Sequence, residues 1–135
     1  MKKVFADTSG WLAILVKSDS FHKKAVQIYL ELLASEYSFV THEGILLEIG
    51  NGLSSAKTRS VALKLKDSIE KSARIELVSL SPELLEAGWK LYAERPDKDW
   101  GIVDCISFIV MRRQNITEAL TTDKHFKQAG FIKLL

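Results

Sequence analysis

Apolar and polar positions change rhythm repeatedly along this chain. Short β-prone runs occur at residues 3–6, 37–40, 75–79, 119–121 and 131–135. Longer segments with helical spacing separate them, at 10–17, 20–35, 43–53, 57–72, 82–94, 102–113 and 124–128. In the fourth of these, Val61, Leu65 and Ile69 recur at every fourth position and draw one apolar stripe down a helix. Ser81 before Pro82 predicts an N-cap followed by proline at the first helical position. Short strands alternating with helices predict a parallel sheet covered on both faces, an α/β sandwich. No repeat, low-complexity tract or linker-like stretch interrupts the pattern. At 135 residues the chain is expected to form one domain, residues 1–135, with a proper core.

Four carboxylates stand against this pattern. Asp7 closes Val4-Phe5-Ala6-Asp7, and Asp104 interrupts Ile102-Val103-Asp104-Cys105-Ile106. Glu48 lies between Leu47 and Ile49, and Asp123 ends Ala119-Leu120-Thr121-Thr122-Asp123. A carboxylate near a core is costly unless something pairs with it, and a divalent cation pairs with several at once. In an open parallel sheet, ligands bind beyond the carboxyl ends of the strands. Asp7 follows the first strand and Asp123 the fourth. Thr41 is expected to end the second strand, with Glu48 about two helical turns later. Asp104 joins them if its helix packs beside the fourth strand.

Each acid also has a bland reading. Asp7, Thr8 or Ser9 can serve as the N-cap of the helix that follows, and Asp123 can cap the helix stopped by Gly130. Glu48 sits at the border of the stripe Ile45, Ile49, Leu53, where a glutamate reaches for water. Asp99, before Trp100-Gly101, reads as a helix-start acid. Asp104 is hardest to dismiss, because it shares a helix face with Phe108 and Met111. A lone buried carboxylate neutralises or finds a cation.

Composition narrows the function classes. A hydrophobic content of 47% with a net charge of +2 fits a globular domain that permits a polyanionic partner without requiring one. Cys105 is the only cysteine, so no intrachain disulfide forms, and on its apolar helix it reads as core packing. Asp7 breaks the N-terminal apolar stretch too early for a signal peptide, and the apolar run 11–16 is too short to span a bilayer. A cytoplasmic location is the expectation. His22, His42 and His125 show no paired spacing, which argues against zinc. No glycine-rich phosphate loop is present, and neither Ser9 nor Ser107 has a nucleophile-elbow context.

The four acids, their order and their surroundings resemble the PIN-domain ribonucleases, in particular the VapC-like toxins of bacterial toxin–antitoxin pairs. The resemblance spans nearly the whole chain. It is carried by Val4-Phe5-Ala6-Asp7-Thr8-Ser9, the helix bearing Glu48, Asp99-Trp100-Gly101-Ile102-Val103-Asp104-Cys105, and Leu120-Thr121-Thr122-Asp123-Lys124-His125-Phe126. One departure is Ile49-Gly50-Asn51-Gly52, richer in glycine than the corresponding family helix, which leaves the end of that helix open. The resemblance implies a three-layer α/β/α sandwich with a central parallel sheet of four or five strands. It implies Mg²⁺ or Mn²⁺ at the acids, cleavage of RNA such as tRNA or rRNA, a cognate antitoxin and a homodimer.

Two charges 4 Å apart repel by about 4 kcal/mol at an effective dielectric of 20, a penalty that a divalent ion removes. Asp7 and Asp104 are expected to hold the metal directly, with Asp123 and Glu48 orienting water or a second ion. Attack by an activated water would leave 5′-phosphate and 3′-hydroxyl ends. Thr8, Ser9, Thr122 and Asp99 are candidate supporting residues, and Lys98, Arg112 and Lys124 candidate contacts to the RNA backbone. Two other classes compete. A receiver-type signalling domain would need an acid after the third strand, where Val78-Ser79-Leu80-Ser81 stands. A non-catalytic PIN-like module that binds RNA or protein would have no use for all four acids.

Overall fold

The computed structural model describes residues 1–135. Its strands are β1 (Lys3–Ala6), β2 (Ser38–His42), β3 (Ile75–Val78), β4 (Glu118–Leu120) and β5 (Ile132–Lys133). Its helices are α1 (Thr8–Leu15), α2 (His22–Ala34), α3 (Glu43–Gly52), α4 (Arg59–Lys71), α5 (Pro82–Glu94), α6 (Ile102–Arg113) and α7 (Lys124–Gln128). The strands form one all-parallel sheet in the order β3-β2-β1-β4-β5.

That order dictates the layers. The chain moves from β1 to β2 to β3 in one direction, then crosses the sheet to β4 and on to β5. Crossovers between parallel strands are right-handed, so a reversal of direction sends the connecting helices to the opposite face. Helices α1 to α4 therefore cover one face, and α5 to α7 the other. The packing agrees, since α1 lies against α2 and α3 while α5 lies against α6 and α6 against α7. The result is the expected three-layer α/β/α sandwich with five strands.

Each face has its own aromatic filling. Phe39 of β2 stacks with Tyr29 at 4.8 Å and meets Trp11 at 6.3 Å, beneath α1 and α2. On the other face Phe108 sits 5.0 Å from both Trp100 and Phe126, and Phe126 reaches Phe5 at 6.0 Å. Val4, Phe5 and Ala6 are fully buried, as a central parallel strand requires. No helix is long and apolar enough to cross a membrane.

Most boundaries fall within about two residues of the sequence expectation, the end left open for α3 within one of residue 53, while β2 outruns its expected end for a physical reason. Strand β2 continues through Thr41 to His42, pairing with Leu77 and Val78 of β3. Both polar residues are buried at no loss of hydrogen bonds, since the Thr41 hydroxyl donates to the Ala6 carbonyl at 3.0 Å and His42 is bonded through both ring nitrogens. Helix α3 runs through Gly50 to Gly52, anchored by the buried Ile45 and Ile49. Gly10 in α1 answers to a close approach instead, since a Cβ there would lie 2.1 Å from the Leu120 carbonyl oxygen. Only glycine lets α1 descend onto the end of β4.

Candidate active site

The sheet order creates one switch point, between β1 and β4, where successive connections depart in opposite directions. The crevice beyond the carboxyl ends of such strands is where α/β folds bind ligands. Asp7 leaves β1 at this crevice, and Thr121 to Asp123 leave β4 beside it.

Asp7 holds the N-cap position of α1, yet its side chain caps nothing. Its Oδ2 instead accepts from the Thr121 hydroxyl at 2.9 Å and lies 3.2 Å from the Ser9 hydroxyl. The same two hydroxyls accept the backbone N–H groups of Asp123 and Thr122, each at 3.0 Å. One small network thus ties the ends of β1 and β4 together and fixes the carboxylate. Asp7 is only 5% exposed, and this burial pushes its pKa from 3.8 up to about 6 against the pull of the hydrogen bonds.

Asp104 arrives from the opposite layer. Gly101 caps α6, and Asp104 in its first turn accepts the Gly101 N–H at 3.2 Å through Oδ2. That oxygen also receives Nδ1 of His125 at 2.9 Å, and the same nitrogen stands 3.3 Å from Oδ1 of Asp123. Asp123 accepts the His125 backbone N–H at 2.9 Å, so it caps α7 while facing the crevice. Glu48, on the exposed side of α3, accepts the Thr8 hydroxyl at 2.6 Å. Partial loss of hydration raises the proton affinity of Glu48 and Asp104; the charges of Asp104 and Asp123 add to it for Glu48, and that of Asp123 for Asp104.

These side chains line one open pocket of about 610 Å³, together with Asp99 and Asn51. The structure therefore brings together Asp7, Glu48, Asp104, Asp123, Thr8, Ser9 and Asp99. Thr122 is placed differently. It contributes its backbone N–H, and the hydroxyl expected of it belongs to Thr121, because the turn after β4 aims residue 121 at Asp7. The three candidate cations stand away from the pocket wall. Lys124 is exposed beside Asp123, and Lys98 lines an adjoining hollow. Arg112 is exposed in the last turn of α6, roughly 12 Å along the axis from Asp104.

Sequence reasoning missed three contributors. His125 and Thr121 stand inside the run 120–126 that carries the family resemblance, but the sequence assigns neither a role of its own. His42 is fully buried, accepts the Gly44 N–H at 3.0 Å to cap α3, and meets the Ser107 hydroxyl of α6 at 2.9 Å. It links the helix bearing Glu48 to the helix bearing Asp104. A histidine directly before Glu43-Gly44 was the available signal for the cap, and nothing local pointed to Ser107.

The donor set suits a hard divalent cation. No lysine or arginine pairs with Asp7, Glu48, Asp104 or Asp123; the ion pairs to lysine and arginine lie elsewhere on the surface. His125 is the one cationic-capable partner, and ligand atoms of Asp104, Asp123 and His125 lie within 4.8 Å of one another. Clustered carboxylates with no fixed counter-charge, three of which (Asp7, Glu48 and Asp104) have raised proton affinity, fit Mg²⁺ or Mn²⁺.

Known proteins resemble this chain in sequence and fold. The chain is 26% identical over 131 residues to the 23S rRNA-specific endonuclease VapC20 of Mycobacterium tuberculosis, covering 97% of both chains. The crystal structure of that organism's VapC20, described as a Sarcin-Ricin loop cleaving toxin, superposes with a TM-score of 0.83 at 27% identity, over 96% of each chain. VapBC2 from Rickettsia felis, solved bound to a DNA fragment from its promoter, shares the fold with a TM-score of 0.68 at 20% identity, again over 96% of each chain. Residues 4–132 match the family described as the PIN domain, and the chain belongs to that family.

Proposed function

We propose that this chain is a divalent-metal-dependent endoribonuclease and the toxin of a toxin–antitoxin pair. The observation that carries the reading is the convergence of Asp7, Glu48, Asp104 and Asp123 on one pocket without a lysine or arginine partner. Likeness to VapC20 supports RNA, with ribosomal RNA the first substrate to test. An antitoxin partner, a homodimer and a cytoplasmic location belong to the same proposal.

Asp7 and Asp104 would hold the ion, with Asp123 and Glu48 beside them. Bound there, Mg²⁺ or Mn²⁺ supplies Lewis-acid activation of water and neutralises charge on the phosphoryl oxygens. The protein's own part is orientation. Thr121 and Ser9 fix the Asp7 carboxylate, while the Gly101 N–H and His125 fix that of Asp104. Glu48 stands at the rim with its Oε1 on the Thr8 hydroxyl, and its raised proton affinity equips it to take a proton from the attacking water. In-line attack on phosphorus breaks the P–O3′ bond and leaves 5′-phosphate and 3′-hydroxyl ends.

The test is cleavage of total RNA with added Mg²⁺ or Mn²⁺, with EDTA as control and cut sites mapped by sequencing. Asp104→Asn is expected to lower the rate by roughly a hundredfold or more, the scale for groups that manage transition-state charge. Wild-type activity in that variant would remove Asp104 from the mechanism. Cyclic-phosphate ends would refute attack by water.

A further inference from the structure

A second hollow, of about 640 Å³, adjoins the acidic pocket, and the two share Asp99 and Gly101 as lining. Its character is different. Tyr92, Arg95, Lys98 and Trp100 contribute to its walls, with Asp99 as its one acid. Trp100 is 4% exposed, and the Arg95 guanidinium lies over its ring, 5.0 Å from the centroid. Arg95 also pairs with Asp97 through two 3.0 Å contacts at the surface, an exposed pair of the kind worth little and readily exchanged. Tyr92 is 48% exposed, and its ring makes a T-shaped contact with that of Trp89 at 5.4 Å.

A polynucleotide poses an electrostatic problem at this site. One phosphate can be neutralised by an ion at the carboxylates, but its neighbours meet the same negative wall. They are tolerated only where the chain passes onto cations, and Arg95 and Lys98 are the cations lining the hollow that continues from the pocket. An exposed aromatic ring on the same wall offers a face on which any base can stack. We infer that this hollow is a nucleotide subsite, in which Tyr92 stacks the base next to the scissile phosphate while Arg95 and Lys98 hold its backbone. A base reaches such a ring only when it is out of a helical stack, so a strand seated in this hollow is unpaired at that nucleotide. This inference rests on the endoribonuclease reading.

Binding separates the two. In an Asp104→Asn background, affinity for a labelled single-stranded RNA is measured by fluorescence anisotropy, so that no cleavage is needed. Tyr92→Ala is expected to weaken binding about tenfold or more, and Tyr92→Phe to preserve it, because the stacking face survives. Lys98→Gln is expected to flatten the salt dependence by about one phosphate contact. In the cleaving protein, Tyr92→Ala is expected to raise KM with kcat little changed, and cleavage is expected to stop when the same strand is annealed into a duplex. Unchanged affinity in Tyr92→Ala overturns the subsite even if the nuclease reading stands. So does a change of oligomeric state in that variant with RNA affinity intact, which would give the ring to a protein interface. Absence of cleavage in wild type, with the binding pattern as expected, would count against the nuclease reading alone.

Discussion

Asp7 is a carboxylate held where its charge is least favoured, and the sign of that effect can be worked out. Its folded pKa of about 6 lies above the 3.8 of the free group. Its contribution to stability is therefore fully present below pH 3.8 and is lost as the pH rises through 6. At pH 7 in the absence of metal, the ionised group disfavours the folded state by up to about 3 kcal/mol. Asp7→Asn keeps the shape and removes the charge, and the Thr121 and Ser9 hydroxyls can turn to accept from its amide. The variant is expected to melt several degrees above wild type at pH 7 in EDTA, to lose that advantage near pH 4, and to have lost RNA cleavage. Thermal melts at the two pH values decide it. A lower melting temperature at pH 7 would mean that hydrogen bonding outweighs desolvation at this residue.

At the scale of elements, His42 fastens the start of α3 to α6. Burial depresses its pKa from 6.5 to about 4. Its neutral form is the one the fold needs, since Nδ1 must accept from Gly44 while Nε2 donates to Ser107. Stability from this group is present above pH 6.5 and is lost as the pH falls through 4, by about 3 kcal/mol in all. Asp7 changes in the opposite sense over nearly the same window, so the wild-type curve alone is uninformative. The decisive quantity is the difference in urea-unfolding free energy between wild type and His42→Gln, expected to shrink steadily from pH 7 to pH 4. A constant difference would show that the histidine does not titrate with unfolding. His42 also marks the limit of what the chain discloses before it folds. The spans 82–94, 102–113 and 124–128 coincide with α5, α6 and α7, because Ser81-Pro82, Gly101 and Asp123 are local stop-and-start signals. Asp7 and Asp123 were legible as acids at strand ends for the same reason. The His42–Ser107 bond was not, since it joins residues 65 positions apart. Nor was the choice of Thr121 over Thr122, which depends on how the chain turns as it leaves β4.

The molecule as a whole brings its acids together from four distant segments: the end of β1, the middle of α3, the start of α6 and the turn after β4. None of these segments holds more than one of the four acids, so the unfolded chain has no comparable site for a cation. An ion that binds only the folded state stabilises it by mass action, by about 2.7 kcal/mol when present at a hundred times its Kd. The ion also removes repulsion between the gathered carboxylates that the metal-free fold must tolerate. Millimolar Mg²⁺ or Mn²⁺ is therefore expected to raise the melting temperature of wild type along a saturating curve. The rise should be absent or much smaller in Asp104→Asn, which lacks one of the converging charges. Sodium chloride at matched ionic strength separates specific binding from screening, since it relieves repulsion between exposed charges without occupying the pocket. Equal stabilisation by Na⁺ and Mg²⁺ would mean that the cluster collects counterions without binding one in place, and the metal-dependent chemistry proposed for this pocket would lose its physical basis.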